Sequence, residues 1–506
     1  LVCFISALDQ TITATAIPTI ASSLHSAGAY TWIGAAYLLA SAASGPLWTK
    51  CSDIWGRKLA LLSATVLFGA ASVLAALSSS MTMLISARAL QGAAGGGLGG
   101  LVSVTISDLV SVRERAKYFA ALGLMWAVAG AAGPAVGGVL TERVSWRWCF
   151  WINVPVCGLA GALILLLLDV HNPRTGLKEG LKAVDWYGTV TMLGVTLMVL
   201  LGLDFGGAVF AWSSAKVICL LIFGTLMVGM FVYSEKRLAK YPLLPLGVFG
   251  SVSNVATFGV SFFQNMVSLS VEYYLPLYLQ SVKLVSPLRS GILVLPMMCT
   301  MALTDITVGI LISKTGRYRE MMWIGATILT LGTGLYITLG VDTPIAQIVG
   351  FQIVWGVGPA LLFYAPMIAI QNTVSQADTA SATAALGFFR NVATSLSIVV
   401  GGVVFQNSMT SQQSSLVAAG LDASTRKAFS GSQAAANVDL IKLISDSTQR
   451  RAIQNAFAGS LRNMFITYTG LAAAALVSSA FIKHRKLNTE HTETKTGIQE
   501  LTKRKE

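Results

Sequence analysis

Fourteen apolar stretches follow one another along this chain of 506 residues, centred near 10, 40, 68, 94, 128, 159, 196, 225, 266, 300, 330, 358, 393 and 471. Each has about the 20 residues that an α-helix needs to cross the hydrocarbon of a bilayer. In lipid every backbone N–H and C=O must be satisfied within the protein, so such stretches are restricted to helices. The expected fold class is therefore an all-α membrane protein of about fourteen transmembrane helices. Only 11% of the residues are charged, against about 25% in soluble domains, and the mean hydropathy is +0.68.

The charge that does occur is ordered. Clusters at 50–58, 113–117, 174–182, 236–240 and 314–319, with the tail from Lys483, hold 22 of the 35 Lys and Arg. They fall after every second apolar stretch, whereas the alternate short loops hold Arg143, Arg147, Lys216, Lys283 and Arg289. This bias places the clusters and both termini in the cytoplasm. The net charge of +13 is thus a topological signal, and no nucleic-acid partner is expected. Six scattered cysteines lack metal-ligand spacing and read as small packing residues. The chain opens inside an apolar run without Met, so a truncated N-terminus is expected.

A charged turn occurs twice. Gly45 to Leu62 reads GPLWTKCSDIWGRKLALL, and Gly309 to Glu320 reads GILISKTGRYRE. With Gly56-Arg57 aligned on Gly316-Arg317, Asp53 falls opposite Ser313. The first copy joins stretches two and three and the second joins ten and eleven, as in a protein built from two related halves. The expected organisation is a six-helix half over 1–170, two additional helices in 171–253, and a six-helix half over 254–482. An outer loop spans 407–459, and residues 483–506 form a disordered cytoplasmic tail.

Within the turns, Gly56 and Gly316 permit a sharp reversal. Asp53, Arg57, Lys58, Arg115 and Arg317 can brace a cytoplasmic gate, the alternative being that the cations only fix topology. Arg88 lies inside the fourth stretch with Gln91 and Gly92 on its face at i+3 and i+4. An ionised Arg there costs about 2.5–3.5 kcal/mol on insertion scales and needs a partner or a wet cavity. Asp9, Glu272, Asp305 and Arg390 are further charges within stretches. Each is open to two readings, proton coupling or a structural bond between helices. Gly130, Gly133, Pro134, Gly137 and Gly138 permit close helix approach and a bend. Trp126 and Trp355 fall inside stretches as packing residues or cavity walls. No Walker sequence occurs, and the four histidines fall in loops or the tail, so neither ATP hydrolysis nor another enzyme activity is expected.

Five motifs in order resemble the major facilitator superfamily, specifically its fourteen-helix drug:proton antiporter branch. They are LDQTITATAIPTI (Leu8–Ile20), TKCSDIWGRK, ARALQG (Ala87–Gly92), AGAAGPAVGG (Ala129–Gly138) and WRWCFWINVP (Trp146–Pro155). The second departs from G-x-L-x-D-x-x-G-R-K at Thr49, and the fourth carries Ala129 in place of the first Gly. The look is closest to fungal toxin and multidrug efflux pumps. The resemblance implies a proton-driven exporter of small hydrophobic or amphipathic compounds, with Arg88 in proton transfer and the glycine motif favouring export. It needs no cofactor or metal, and is expected as a monomer in the plasma membrane or, alternatively, the vacuolar membrane. Asp9 ranks first as coupling carboxylate, with Glu272 and Asp305 in reserve. The rival reading is proton-coupled movement of siderophores, amino acids or other solutes.

Overall fold

The computed structural model describes residues 1–24, 31–173, 175–207, 210–244, 246–376, 378–487 and 496–497. Arg174 and most of the tail lie outside the described residues. Among those described there is no β-strand, only an isolated bridge between Gly206 and Phe210. Each of the fourteen stretches falls in a long helix: α1 Val2–Ser23, α2 Thr31–Trp55, α3 Arg57–Ala76, α4 Met81–Leu109, α5 Val112–Arg143, α6 Trp148–Leu167, α7 Trp186–Phe205 and α8 Ala215–Tyr233, then α9 Val252–Ser281, α10 Pro287–Thr315, α11 Tyr318–Leu335, α12 Ile345–Phe363, α13 Thr379–Ser411 and α14 Ser447–Ala480.

Among the described residues, eleven helices are long and apolar enough to cross a membrane. The helices below that mark are α1, α2 and α9, and α9 has a physical reason. It turns Ser253, Asn254, Thr257, Ser261, Gln264 and Ser268 into the protein interior, so its polarity is hidden from lipid. Local signals set several starts. Ser80 and Ser214 accept N–H bonds from Met83 and Val217, and Ser286 does so for Arg289 ahead of Pro287 at the first helical turn, as N-caps do. The two repeated turns are made by Gly56 (φ 91°) and Gly316 (φ 73°), a backbone region that glycine enters without steric cost.

The segment between α13 and α14 is shorter than the expected loop over 407–459. Helix α13 runs on to Ser411 and α14 begins at Ser447, and short helical turns fill much of the interval between. A helix continues past the apolar limit wherever its backbone ladder is intact, and a count of apolar residues cannot see that extension.

The same pairings recur in the first six and last six helices. Within α1–α6, α2 packs on α4, α3 on α4, α1 on α5 and α3 on α6; within α9–α14, α10 packs on α12, α11 on α12, α9 on α13 and α11 on α14. Two sets of buried apolar residues follow, one over α1–α6 and one over α9–α14 with Ala116 and Phe119 of α5. The sets meet at two seams, α5 against α10 and α2 against α13. Helices α7 and α8 pair with each other, and α7 touches both α2 and α13.

Candidate functional site

Asp9 and Arg88 meet. Arg88 Nη1 lies 2.5 Å from Asp9 Oδ2 and donates to Gln91 Oε1 at 3.0 Å, while Nε donates to the Ile33 carbonyl at 3.1 Å. Asn153 of α6 donates to Asp9 Oδ1 at 2.7 Å and to Ser72 Oγ at 3.1 Å. Gln91 reaches the same two acceptors at 3.3 and 2.8 Å. The Arg88 guanidinium stands 4.5 Å from the centre of the Tyr37 ring, a cation–π contact. Asp9, Ser72, Gln91 and Asn153 are fully enclosed and Arg88 is 1% exposed. Both charges are paired and almost every polar atom is bonded, which is what makes a buried ion pair tolerable. The helices α1, α3, α4 and α6 are thereby tied at one point.

Asp305 is in the opposite condition. It sits on α10 at the seam with α5, in a small pocket lined by Ala116, Val308, Gly309, Ala360, Tyr364 and Ile368. Its Oδ1 is buried with no hydrogen-bond partner among the described residues. A Cβ on Gly123 would lie 3.0 Å from Asp305 Oδ2, so the absent side chain of Gly123 makes the carboxylate's space. One turn below, the helices touch closely: a Cβ on Gly309 would meet Ala120 Cβ at 2.4 Å and the Ala116 carbonyl at 2.6 Å. Tyr364 stacks on Phe119 across this seam with ring centres 5.5 Å apart.

Arg390 of α13 is half-buried. It donates from Nε to Ser261 at 2.8 Å and from Nη2 to the carbonyl of Phe363, where α12 breaks. Among the described residues no carboxylate pairs with it. Glu272 on α9 is half-buried, and the structure does not bring it into the Asp9 cluster.

At the Lys/Arg-rich end, Arg57 bridges two carboxylates: Nη1 to Asp53 at 2.6 Å and Nε to Asp108 at 2.7 Å. Asp108, at the end of α4, has no sequence motif of its own in the charged turn. Arg115 donates to the Ser107 carbonyl at 2.6 Å and, across the seam, to Gln371 at 3.0 Å. Arg113 donates to the carbonyl of Ser313 at 2.7 Å and to that of Lys314 at the end of α10. Lys58 binds the Leu165 carbonyl at 2.9 Å. Arg317 is exposed and stays outside this network.

The glycine motif in α5 divides. A Cβ on Gly133 would meet Thr11 Oγ1 at 2.0 Å, and one on Gly137 would meet Thr15 Oγ1 at 2.4 Å, so these two carry the α1–α5 approach. Gly130 and Gly138 have nothing within 4 Å of a built Cβ, so neither carries a close approach. Pro134 is accommodated within α5. Trp126 is 46% exposed, whereas Trp355 is fully buried and donates to Thr333 at 3.1 Å. Trp355 is enclosed because α11 closes over it where Gly332 leaves room.

Sequence reasoning missed Asn153, Ser72 and Tyr37 around Asp9 and Asp108 beside Arg57. Asn153 stood inside a quoted motif, but nothing in its spacing named a partner.

Residues 1–398 match the sequence profile described as Major Facilitator Superfamily. The MFS-type transporter ppz2 of Metarhizium majus is 44% identical over 495 residues, covering 98% of this chain and 85% of that protein. Efflux pump dotC of Dothistroma septosporum is 42% identical over 496 residues, covering 98% and 85%. Efflux pump FUS6 of Gibberella moniliformis is 35% identical over 406 residues, covering 80% and 72%. Among solved structures, a double Trp mutant of XylE superposes with a TM-score of 0.58 at 15% identity, covering 97% of this chain and 96% of that one. The human organic anion transporter MFSD10 gives 0.55 at 14%, covering 93% and 98%. At these identities the structures show the fold alone.

Proposed function

This chain belongs to the major facilitator superfamily, and we propose that it is a proton-driven antiporter that exports small hydrophobic or amphipathic molecules from a fungal cell. Its family, its helical membrane fold and its efflux-pump relatives make it a multi-pass membrane transporter. The relatives' names support export of toxins or secondary metabolites as the finer reading. Residues 1–170 and 254–482 act as two halves that rock about a midplane substrate, and the monomer resides in the plasma membrane.

Asp305 carries the proposal. A coupling carboxylate must be charged in one state and neutral in another, as its surroundings turn from wet to dry. Asp305 stands at a seam that opens and closes, with one oxygen unpartnered. Asp9 is held by Arg88, Gln91 and Asn153; it acts as the fixed strut of its half. Arg390 and Glu272 lie in the same half as Asp305 and stay in reserve as coupling groups. The bonds from Arg113 and Arg115 across the seam seal the cytoplasmic side, so this conformation is closed inward, with Asp53, Arg57 and Asp108 bracing the closed state.

Transport of a panel of amphipathic fluorescent dyes in proteoliposomes, with and without an imposed pH gradient, tests the reading. Wild type concentrates dye only with the gradient, and Asp305→Asn loses that dependence while still equilibrating dye. Full gradient-driven transport by Asp305→Asn together with its loss in Asp9→Asn would return the role to Asp9.

A further inference from the structure

The additional hairpin of α7 and α8 holds a second buried charge cluster, away from the seam that carries Asp305. Asp185 caps α7, its Oδ1 accepting from Gly188 N–H at 2.8 Å, and the residue is 8% exposed. Its other oxygen, Oδ2, is buried and has no hydrogen-bond partner among the described residues. Glu235 follows the end of α8 and is 7% exposed, its two oxygens accepting from the N–H groups of Leu243 at 3.2 Å and Leu244 at 3.1 Å. A Cβ on Gly188 would lie 2.2 Å from Asp185 Oδ2 and 2.8 Å from Glu235 Oε1. The bare backbone of Gly188 lets both carboxylates converge on one spot.

The charges acting on Glu235 are Asp185 and Lys50 of α2. Lys50 is 4% exposed; its Nζ donates to the Pro242 carbonyl at 2.9 Å and lies 6.0 Å from the centre of the Tyr241 ring. Lys240, on the outer side of that ring at 5.4 Å, is exposed. Two buried carboxylates thus face one buried ammonium. Like charges at one dry spot disfavour each other's ionised form, and a buried acceptor left unbonded is costly. A single proton held between the two residues answers both, because an O–H on one carboxyl can donate to an oxygen of the other.

We propose that Asp185 and Glu235 hold one exchangeable proton between them, at a joint that links the hairpin to gate helix α2 and lies outside the transport path. The proton comes from water and returns to it, forming and breaking one O–H bond. The segment 241–244 is held by Glu235 on one side and Lys50 on the other. Since α7 also packs on α13, the joint's charge state sets how firmly the hairpin holds the second seam. Deprotonation drives the two carboxylates apart and loosens it.

Infrared spectroscopy of the full chain in liposomes, in an Asp305→Asn background, isolates this proton from the one assigned to transport. A carboxylic-acid C=O band is expected at neutral pH that titrates away in alkali. Asp185→Asn and Glu235→Gln should each remove it, and replacing sodium with choline should leave it unchanged. Gly188→Ala keeps both carboxyls but wedges them apart, and should also remove the band; it serves if an amide variant fails to fold. A band that survives all three substitutions overturns the proposal. So does one that sodium displaces, which would make the site a metal-cation site. Failure of the antiport reading would show in dye transport and leave this band in place.

Discussion

Asp9 and Asp305 are both acidic residues inside apolar helices, yet Asp9 is paired and bonded while Asp305 keeps one buried oxygen without a partner among the described residues. Removing Asp9 strands a buried guanidinium, for which the cost of breaking such a pair is about 3–5 kcal/mol. Asp9→Ala should therefore lower the amount of folded protein, read by fluorescence size-exclusion chromatography, whereas Asp305→Asn should leave it near wild type. Equal losses in both would contradict the contrast. Asp9, Arg88 and Gln91 were legible in the sequence because polar residues stand out against an apolar run, and insertion cost alone demands a partner. Asn153 and Ser72 were not, since short amides and hydroxyls occur in many of these helices and only the fold tells which ones meet. Asp9 ranks above Asp305 in the sequence by its depth in the first helix of the half that carries most of the family motifs, and neither ground says whether a carboxylate is already paired.

At the scale of the helix, glycine spacing marked the right helices but not which glycines carry a contact. Gly92 and Gly96 of α4 approach the backbone of α2 so closely that a Cβ would meet the Tyr37 carbonyl at 2.1 Å and the Ser41 carbonyl at 2.2 Å. Backbone cannot yield as a flexible side chain does, so Gly92→Val should abolish folded protein in the membrane. Gly138→Ala meets nothing and should keep both yield and transport, with a gain of about 0.5–1 kcal/mol in helix propensity. The two outcomes are separable by thermal melting of purified variants. The motif as written gives Gly133, Gly137, Gly130 and Gly138 equal standing; which of them meets a neighbouring helix depends on where α1 lies against α5, which the spacing does not contain. Helix ends were the other blind spot, since Ser411 and Ser447 lie where composition is already polar.

For the molecule as a whole, the succession of apolar stretches and the repeated turn made the helical architecture readable, because bilayer thickness and backbone hydrogen bonding leave few alternatives. The seams were not readable, as they depend on how α5 meets α10 and α2 meets α13. If the bonds of Arg113 hold the inward side shut, Arg113→Ala should raise the share of molecules open there. A cysteine at Val308, beside Asp305, should then react several-fold faster with an impermeant maleimide supplied on the Lys/Arg-rich face. An unchanged rate would mean that the contact does not limit opening.

The Arg113 contact has a consequence for how this seam can vary. Its acceptors are the main-chain carbonyls of Ser313 and Lys314, which every amino acid supplies alike. One side of the latch is therefore free to drift in sequence while the other is pinned to arginine. A substitution scan of the exposed Lys314 would return a blank at a place where the two halves grip each other.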